Sequence, residues 1–305
     1  MKGNQALLEF LKEYVPREDI LLSEMMNRHT AFRIGGPADI FCKVQSAEAL
    51  AKILRYLTQT GRDCFIIGKG SNLLVSDKGY RGVILQPDGE LAAVRVEGTR
   101  IIAGAGASLP QVARTAAEHG LSGLEFAAGI PGSLGGAVVM NAGAYDGEMK
   151  QIVKSVTVYD QMGEEMCLDN DTMEFSYRSS IIKDRPFTVA EVTMELQEGD
   201  REAIFSRMEE LNRRRREKQP LEYPSAGSTF KRPQGYFAGK LIMDAGLRGL
   251  RVGDAQVSEK HCGFIVNIGN ASAEDVKELM EEVQYRVKKQ LGVRLEPEVI
   301  LLGEF

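Results

Sequence analysis

Gly129-Ile130-Pro131-Gly132-Ser133-Leu134-Gly135-Gly136-Ala137-Val138-Val139-Met140-Asn141-Ala142-Gly143-Ala144 decides how this chain is to be read. Each glycine inside a helix or strand costs about 0.5–1 kcal/mol relative to alanine. So dense a run reads either as a glycine-packed helix start or as backbone that must lie flat against a large ligand. Upstream, Gly68-Lys69-Gly70-Ser71-Asn72 separates two short apolar runs, 64–67 and 73–75. Without Cβ atoms, consecutive N–H groups there can converge on an anion; a tight turn between strands is the plainer alternative. The pentapeptide lacks the third glycine of a dinucleotide fingerprint, and its lysine is misplaced for a P-loop. Gly104-Ala105-Gly106 carries the same ambiguity.

Outward from these loops the pattern is α+β. Residues 1–22 read as a helical lead-in, with Leu7, Leu8, Leu11 and Val15 on one face. A turn follows at 35–37, then a helix between Ser46 and Gly61. Short strands at 64–67, 73–75, 83–85 and 100–103 lead to a helix over 110–119, with Pro110 in its first turn. A hairpin about Met162-Gly163 joins 152–160 to 164–168, and 187–196 alternates as a long strand. A helix opening at Asp200 runs into Arg213-Arg214-Arg215-Arg216. Pro220 and Pro224 make 217–226 the expected linker. Beyond it come a helix at 236–245, a strand at 263–268, and a helix from Ser272 with a capping signature at Asp275. That helix carries the apolar stripe Val276, Leu279, Met280, Val283, Val287. A strand over 294–302 closes the chain.

Bulk properties exclude several classes. The 305 residues are 43% hydrophobic and 27% charged with a net charge of -5, which argues against nucleic acid as the main partner. The arginine run reads as a solvated helix face, or as a feature steering an anionic substrate. Cys42, Cys64, Cys167 and Cys262 are too scattered for a zinc pattern, and three histidines give little for any metal, so no metal site is expected. The N-terminus has no signal-peptide core and no run reaches the ~18 apolar residues of a membrane span. A cytoplasmic, membrane-free monomer is the expectation.

The two glycine loops together resemble the FAD-binding module of vanillyl-alcohol-oxidase-type flavoproteins, and His29-Thr30-Ala31-Phe32-Arg33-Ile34-Gly35-Gly36 is similar to its opening. The resemblance implies a two-lobed FAD module over 1–210, split near 90–100, and a C-terminal α+β substrate domain over 211–305 whose last strand returns toward the flavin. With no histidine in 68–72, it implies noncovalent FAD. Carried over residue by residue, the cofactor contacts are Arg33, Gly68, Lys69, Gly70, Ser71, Asn72, Gly129, Pro131, Gly132, Ser133, Gly135, Gly136, Asn141, Ala142 and Gly143.

Three more segments narrow the resemblance. Tyr177-Arg178-Ser179-Ser180, Ser225-Ala226-Gly227-Ser228-Thr229-Phe230-Lys231-Arg232-Pro233 and Leu295-Glu296-Pro297-Glu298-Val299 are similar to the YRxS, GSxFKxP and EPEV segments of the UDP-N-acetylenolpyruvoylglucosamine reductase (MurB) family, in the right order. No region resembles the tyrosine-containing loop of that family's longer subtype, so the shorter subtype is implied. The implied reaction is NADPH-dependent, FAD-mediated reduction of UDP-N-acetylglucosamine enolpyruvate to UDP-N-acetylmuramate, in peptidoglycan precursor synthesis. The catalytic roles fall on Arg178 and Glu298, which stabilise charge on the enolpyruvyl carboxylate, and on Ser228, which gives a proton to C2. Tyr177, Lys231, Lys240, Gln256 and His261 are the expected substrate contacts, with Arg248 and Lys260 as further cations for the diphosphate. Two rivals stay open at this point: another FAD oxidase or dehydrogenase with the same module, and a nucleotide-sugar binder without activity.

Overall fold

The computed structural model describes residues 2–145 and 147–305, so Met1 of the expected lead-in lies outside the described residues. The chain divides into two compact units. The first comprises Met1–Ser23, Asp39–Lys69 and Gly82–Arg213; the second comprises Glu24–Ala38, Gly70–Arg81 and Arg214–Phe305. The contiguous division at 210 therefore differs from the clustering seen, in which two short N-terminal segments group with the C-terminal third.

The first unit centres on a five-stranded antiparallel sheet, in the order Glu165–Asp169, Val153–Tyr159, Thr188–Glu195, Arg100–Gly104, Val94–Glu97. Its register pairs Val156 with Val192 and Val192 with Ala103, all buried. β-branched side chains facing one another this way fix the register, because a slip of one residue would turn the apolar set to solvent. Leu109, Val112 and Ala116 of helix Leu109–Glu118 and Leu134 and Val138 of helix Leu134–Val139 complete that core. A second cluster packs Leu50, Ile53 and Leu57 of helix Ala47–Gln59 on Ile40, Cys42 and Val83. Ser46 caps that helix by accepting from the Ala49 N–H at 3.2 Å, as its position in the sequence predicts. Four strands, Ile20–Met25, Pro37–Val44, Tyr80–Pro87 and Cys64–Ile66, form a further sheet in that order.

In the second unit, helix Ala273–Leu291 starts on a full capping box between Ser272 and Asp275 and stops at Gly292 in the left-handed region, φ 72°. Its stripe of Val276, Leu279, Met280, Val283 and Val287 is at most 3% exposed. At about 1.5–3 kcal/mol for each such side chain removed from water, that face is the main source of the unit's stability. It packs on the small sheet Arg251–Val252, Ala255–Val257, Ile265–Asn267.

Three expected elements are shorter in the structure. The lead-in helix is Lys2–Tyr14, after which Pro16 precedes a single 3₁₀ turn and then strand Ile20–Met25. The helix expected at 236–245 is Ala238–Asp244. The closing strand is only Ile300–Leu302, paired in parallel with Leu73–Val75. Proline at 297 brings no N–H to a ladder, and 294–299 is held instead by other means, described below. Among the described residues no helix is long and apolar enough to cross a membrane.

Candidate active site

In the first unit the 104–109 and 132–135 segments lie backbone to backbone, and Gly68 packs against the Ser133 side chain. The Leu134 and Gly135 amides donate to the carbonyls of Ala107 and Ala105, each at 2.8 Å, and Leu109 N–H donates to Gly132 O at 2.9 Å. This approach leaves no room for side chains. A Cβ on Gly135 would stand 2.8 Å from that of Ala105, and one on Gly68 would stand 2.0 Å from Ser133 Oγ. Gly104 and Gly106 are equally constrained, each with a carbonyl oxygen about 2 Å from where a Cβ would be (Leu91 at 2.1 Å, Pro87 at 2.2 Å). The pair left ambiguous by the sequence thus belongs to the same assembly as the 129–144 loop. The result is a cradle of backbone free of charged side chains between 129 and 144, with Lys69 exposed at its side.

The loop ends in a second construction. Ser176 and Ser179 exchange backbone hydrogen bonds at 3.0 and 3.2 Å, closing a tight turn that carries Tyr177 and Arg178 at its tip. Arg178 takes φ 56°, a left-handed conformation unusual for arginine. Its guanidinium donates to Gly143 O at 3.3 Å and sits 5.1 Å from the Tyr177 ring centroid.

In the second unit, the segments that carry Ser228 and Glu298 pair through their backbones, with Thr229 opposite Glu298. Glu298 N–H donates to Thr229 O and Lys231 N–H to Glu296 O, both at 2.8 Å, around the bridge of Phe230 with Pro297. This pairing is what holds the proline-interrupted 294–299 segment. Asn72, expected as a cofactor contact, uses its amide to donate to Glu298 O at 3.0 Å, while its own carbonyl accepts from Ile300 N–H. Ser228 itself is exposed and Glu298 half-buried.

Thr229, 1% exposed, ties this arrangement together and was not singled out from the sequence. Its N–H donates to Gly263 O at 2.8 Å and its Oγ1 accepts from Ile265 N–H at 2.9 Å. The available signal was a hydroxyl between Ser228 and an apolar residue that no turn required. Thr229→Val keeps the shape and strands a buried N–H, so we expect a loss of about 1–3 kcal/mol in urea unfolding. An unchanged midpoint would show that Oγ1 is dispensable.

Several expected substrate contacts are engaged elsewhere. Lys240 is held by Asp244 at 2.6 Å one helical turn on, Lys260 donates to Arg216 O at 2.7 Å, and Arg248 bonds the Glu259 carbonyl. Gln256 reaches Gly249 O at 3.4 Å, and Lys231 lies 3.5 Å from Glu296. Arg33, in a left-handed conformation at φ 56°, lines an open cavity of about 560 Å³ in the second unit with Asn27, Asp77, Tyr223 and Asn270.

His261 accepts from Gly263 N–H at 3.1 Å and meets Phe264 edge-on. Burial pushes its imidazole below the ordinary 6.5. The native state then stays neutral where the unfolded chain takes up a proton, so stability falls as the pH drops below about 6.5 and on toward the lower native value. Melting curves should therefore lose more on acidification for the parent than for His261→Gln; parallel losses would remove His261 as the cause.

The chain matches known proteins over nearly its whole length. The protein is 52% identical to the UDP-N-acetylenolpyruvoylglucosamine reductase of Lachnoclostridium phytofermentans over 305 residues, covering 99% of this chain and 98% of that one. Its identity to the enzyme of the same name from Caldanaerobacter subterraneus subsp. tengcongensis is also 52%, over 98% and 99% of the two chains. The chain belongs to the UDP-N-acetylenolpyruvoylglucosamine reductase family. The family's C-terminal domain matches residues 219–302 and an FAD binding domain matches 38–168. The crystal structure of the reductase from Thermus caldophilus superposes with a TM-score of 0.80 at 38% identity, covering 93% of this chain and 98% of that one. The protein is accordingly an FAD-dependent oxidoreductase, with NADPH as reductant, and its 305-residue length fits the shorter subtype. The backbone cradle is compatible with that cofactor: its close-packed glycines keep side chains off the loop, and no acidic side chain between 129 and 144 opposes a diphosphate.

Proposed function

We propose that this reductase acts on UDP-N-acetylglucosamine enolpyruvate through Arg178, Ser228 and Glu298, with FAD held noncovalently by the 68–72 and 129–143 loops. The observation that supports the assignment best is the pairing of 229–231 with 296–298, which brings together the two segments that carry Ser228 and Glu298 although neither forms a regular strand there. Backbone is arranged here to present side chains, not to complete a sheet.

FAD, when bound, supplies the two-electron relay between NADPH and the substrate. The chain's own residues then handle the enolpyruvyl group. Addition of hydride at C3, with NADPH as the source of its electron pair, moves negative charge onto the carboxylate, and the guanidinium of Arg178 with the carboxyl of Glu298 holds that carboxylate and stabilises the enediolate. Ser228 Oγ gives the proton that C2 must receive. Tyr177, exposed at the tip of its turn, covers the nucleotide-sugar, and the cations of the second unit meet the diphosphate. Lys240 can do so only by leaving Asp244, which exposed ion pairs permit at little cost. The protein works as a membrane-free cytoplasmic monomer.

The test is an anaerobic visible spectrum. The yellow protein should bleach on NADPH and regain its colour on UDP-N-acetylglucosamine enolpyruvate, with UDP-N-acetylmuramate as product. Bleaching with no recolouring by that substrate would overturn the substrate assignment.

A further inference from the structure

The side chain of Asn141 is spent inside the protein, and what it holds is the turn that carries Arg178. At 1% exposure its Nδ2 donates to Ser176 O at 3.0 Å and its Oδ1 accepts from Lys150 N–H at 2.9 Å. Ser176 is one of the two residues whose mutual backbone bonds close the Tyr177-Arg178 turn. Asn141 itself adopts φ 41°, a left-handed conformation that asparagine tolerates better than other side chains. Ser180, 2% exposed, fixes the far side of the turn by donating to Val139 O at 2.9 Å. The glycine loop and the Arg178 turn are thus locked at both ends, and Arg178 closes the circuit by donating to Gly143 O.

From this geometry we infer that Asn141 is a positioning residue for Arg178, taking the place of the direct cofactor contact that resemblance assigned to it. Its amide sets where the guanidinium stands, through the Ser176 carbonyl, and so couples the loop assigned to the cofactor to the group that meets the substrate carboxylate. The inference rests on the role proposed for Arg178 and on nothing else in that mechanism. A buried amide with both ends satisfied locks geometry better than any exposed contact could. Displacing a catalytic group by about 1 Å is enough to cost roughly 100-fold in rate.

The deciding variant is Asn141→Gly, which keeps the left-handed backbone at no steric cost and removes the side chain that holds Ser176 O and Lys150 N–H. On the purified holoenzyme three things are measured: flavin retained through gel filtration, the rate of bleaching by NADPH, and the rate of recolouring by the enolpyruvyl substrate. The expected result is retained flavin, bleaching within about threefold of the parent, and recolouring slowed roughly 100-fold. Hydrogen exchange of the Ser176 and Ser179 amides should accelerate in parallel. Lost flavin, equal slowing of both steps, or an unchanged recolouring rate would each overturn the inference. Arg178→Ala is run beside it. If Arg178→Ala recolours normally, the role given to Arg178 fails and takes this inference with it. If Arg178→Ala is slow while Asn141→Gly is normal, only the inference about Asn141 falls.

Discussion

A Ser228→Ala protein keeps its flavin, is bleached by NADPH at close to the parental rate, and forms UDP-N-acetylmuramate about 10²- to 10⁴-fold more slowly, the usual worth of a positioned proton donor. The position explains the selectivity. Ser228 is exposed and follows Gly227 at φ 77°, so its hydroxyl supports no core packing whose loss would disturb the rest of the protein. Thr229 beside it does the structural work. Ser228→Cys gives the complementary result: a thiol, with an ordinary pKa near 8.5, still holds a proton to give and should recover part of the rate. Rapid-mixing spectra separate the two steps. Loss of NADPH bleaching in a folded, yellow Ser228→Ala protein would end the proton-donor assignment, as would unimpaired product formation.

What the sequence disclosed and what it withheld divide along physical lines. Capping chemistry and helical periodicity are local, so the N-cap and apolar stripe of the 273–291 helix were legible, as was the Met162-Gly163 hairpin. Glycine density was legible as a demand for close backbone approach, and the contacts of Gly68, Gly104 and Gly135 bear out that demand. The extent of the last strand was not. Val299 to Leu302 looks continuous with 294–298, yet Pro297 and long-range bonds from Thr229 and Lys231 leave only three residues in a ladder. The Lys240–Asp244 pair lies one helical turn apart and follows from spacing alone, whereas nothing local could tell that Asn141 turns inward, since that depends on what its side chain meets after folding. The grouping of 24–38 and 70–81 with the C-terminal third is non-local in the same sense: Phe32, Ile34 and Leu74 share a cluster with Leu241, Ile265 and Val299, a pairing that no periodicity encodes.

The GKGSN loop offers the largest effect on stability. At Gly70, φ is 60°, a Cβ would stand 1.9 Å from the His29 carbonyl oxygen and 2.9 Å from Thr30 Cα, and the Gly70 carbonyl already accepts from Ala31 N–H. Both obstacles are backbone, so neither can rotate away. Gly70→Ala must therefore push the 29–31 segment aside and lose that hydrogen bond. The left-handed conformation costs about 1–2 kcal/mol for alanine, and the forced shift adds roughly 1–3 kcal/mol. Gly98 supplies the internal control: its φ is 61°, and nothing lies within 4 Å of an added Cβ. Gly98→Ala pays only the conformational part and should melt a few degrees lower, about 2–4 °C per kcal/mol, with flavin intact. Gly70→Ala should melt at least twice as far below the parent and elute without its yellow colour, because the displaced segment adjoins the loop assigned to the cofactor. Equal shifts in the two variants would show that 29–31 yields freely, and the loop would then owe its glycine to φ alone.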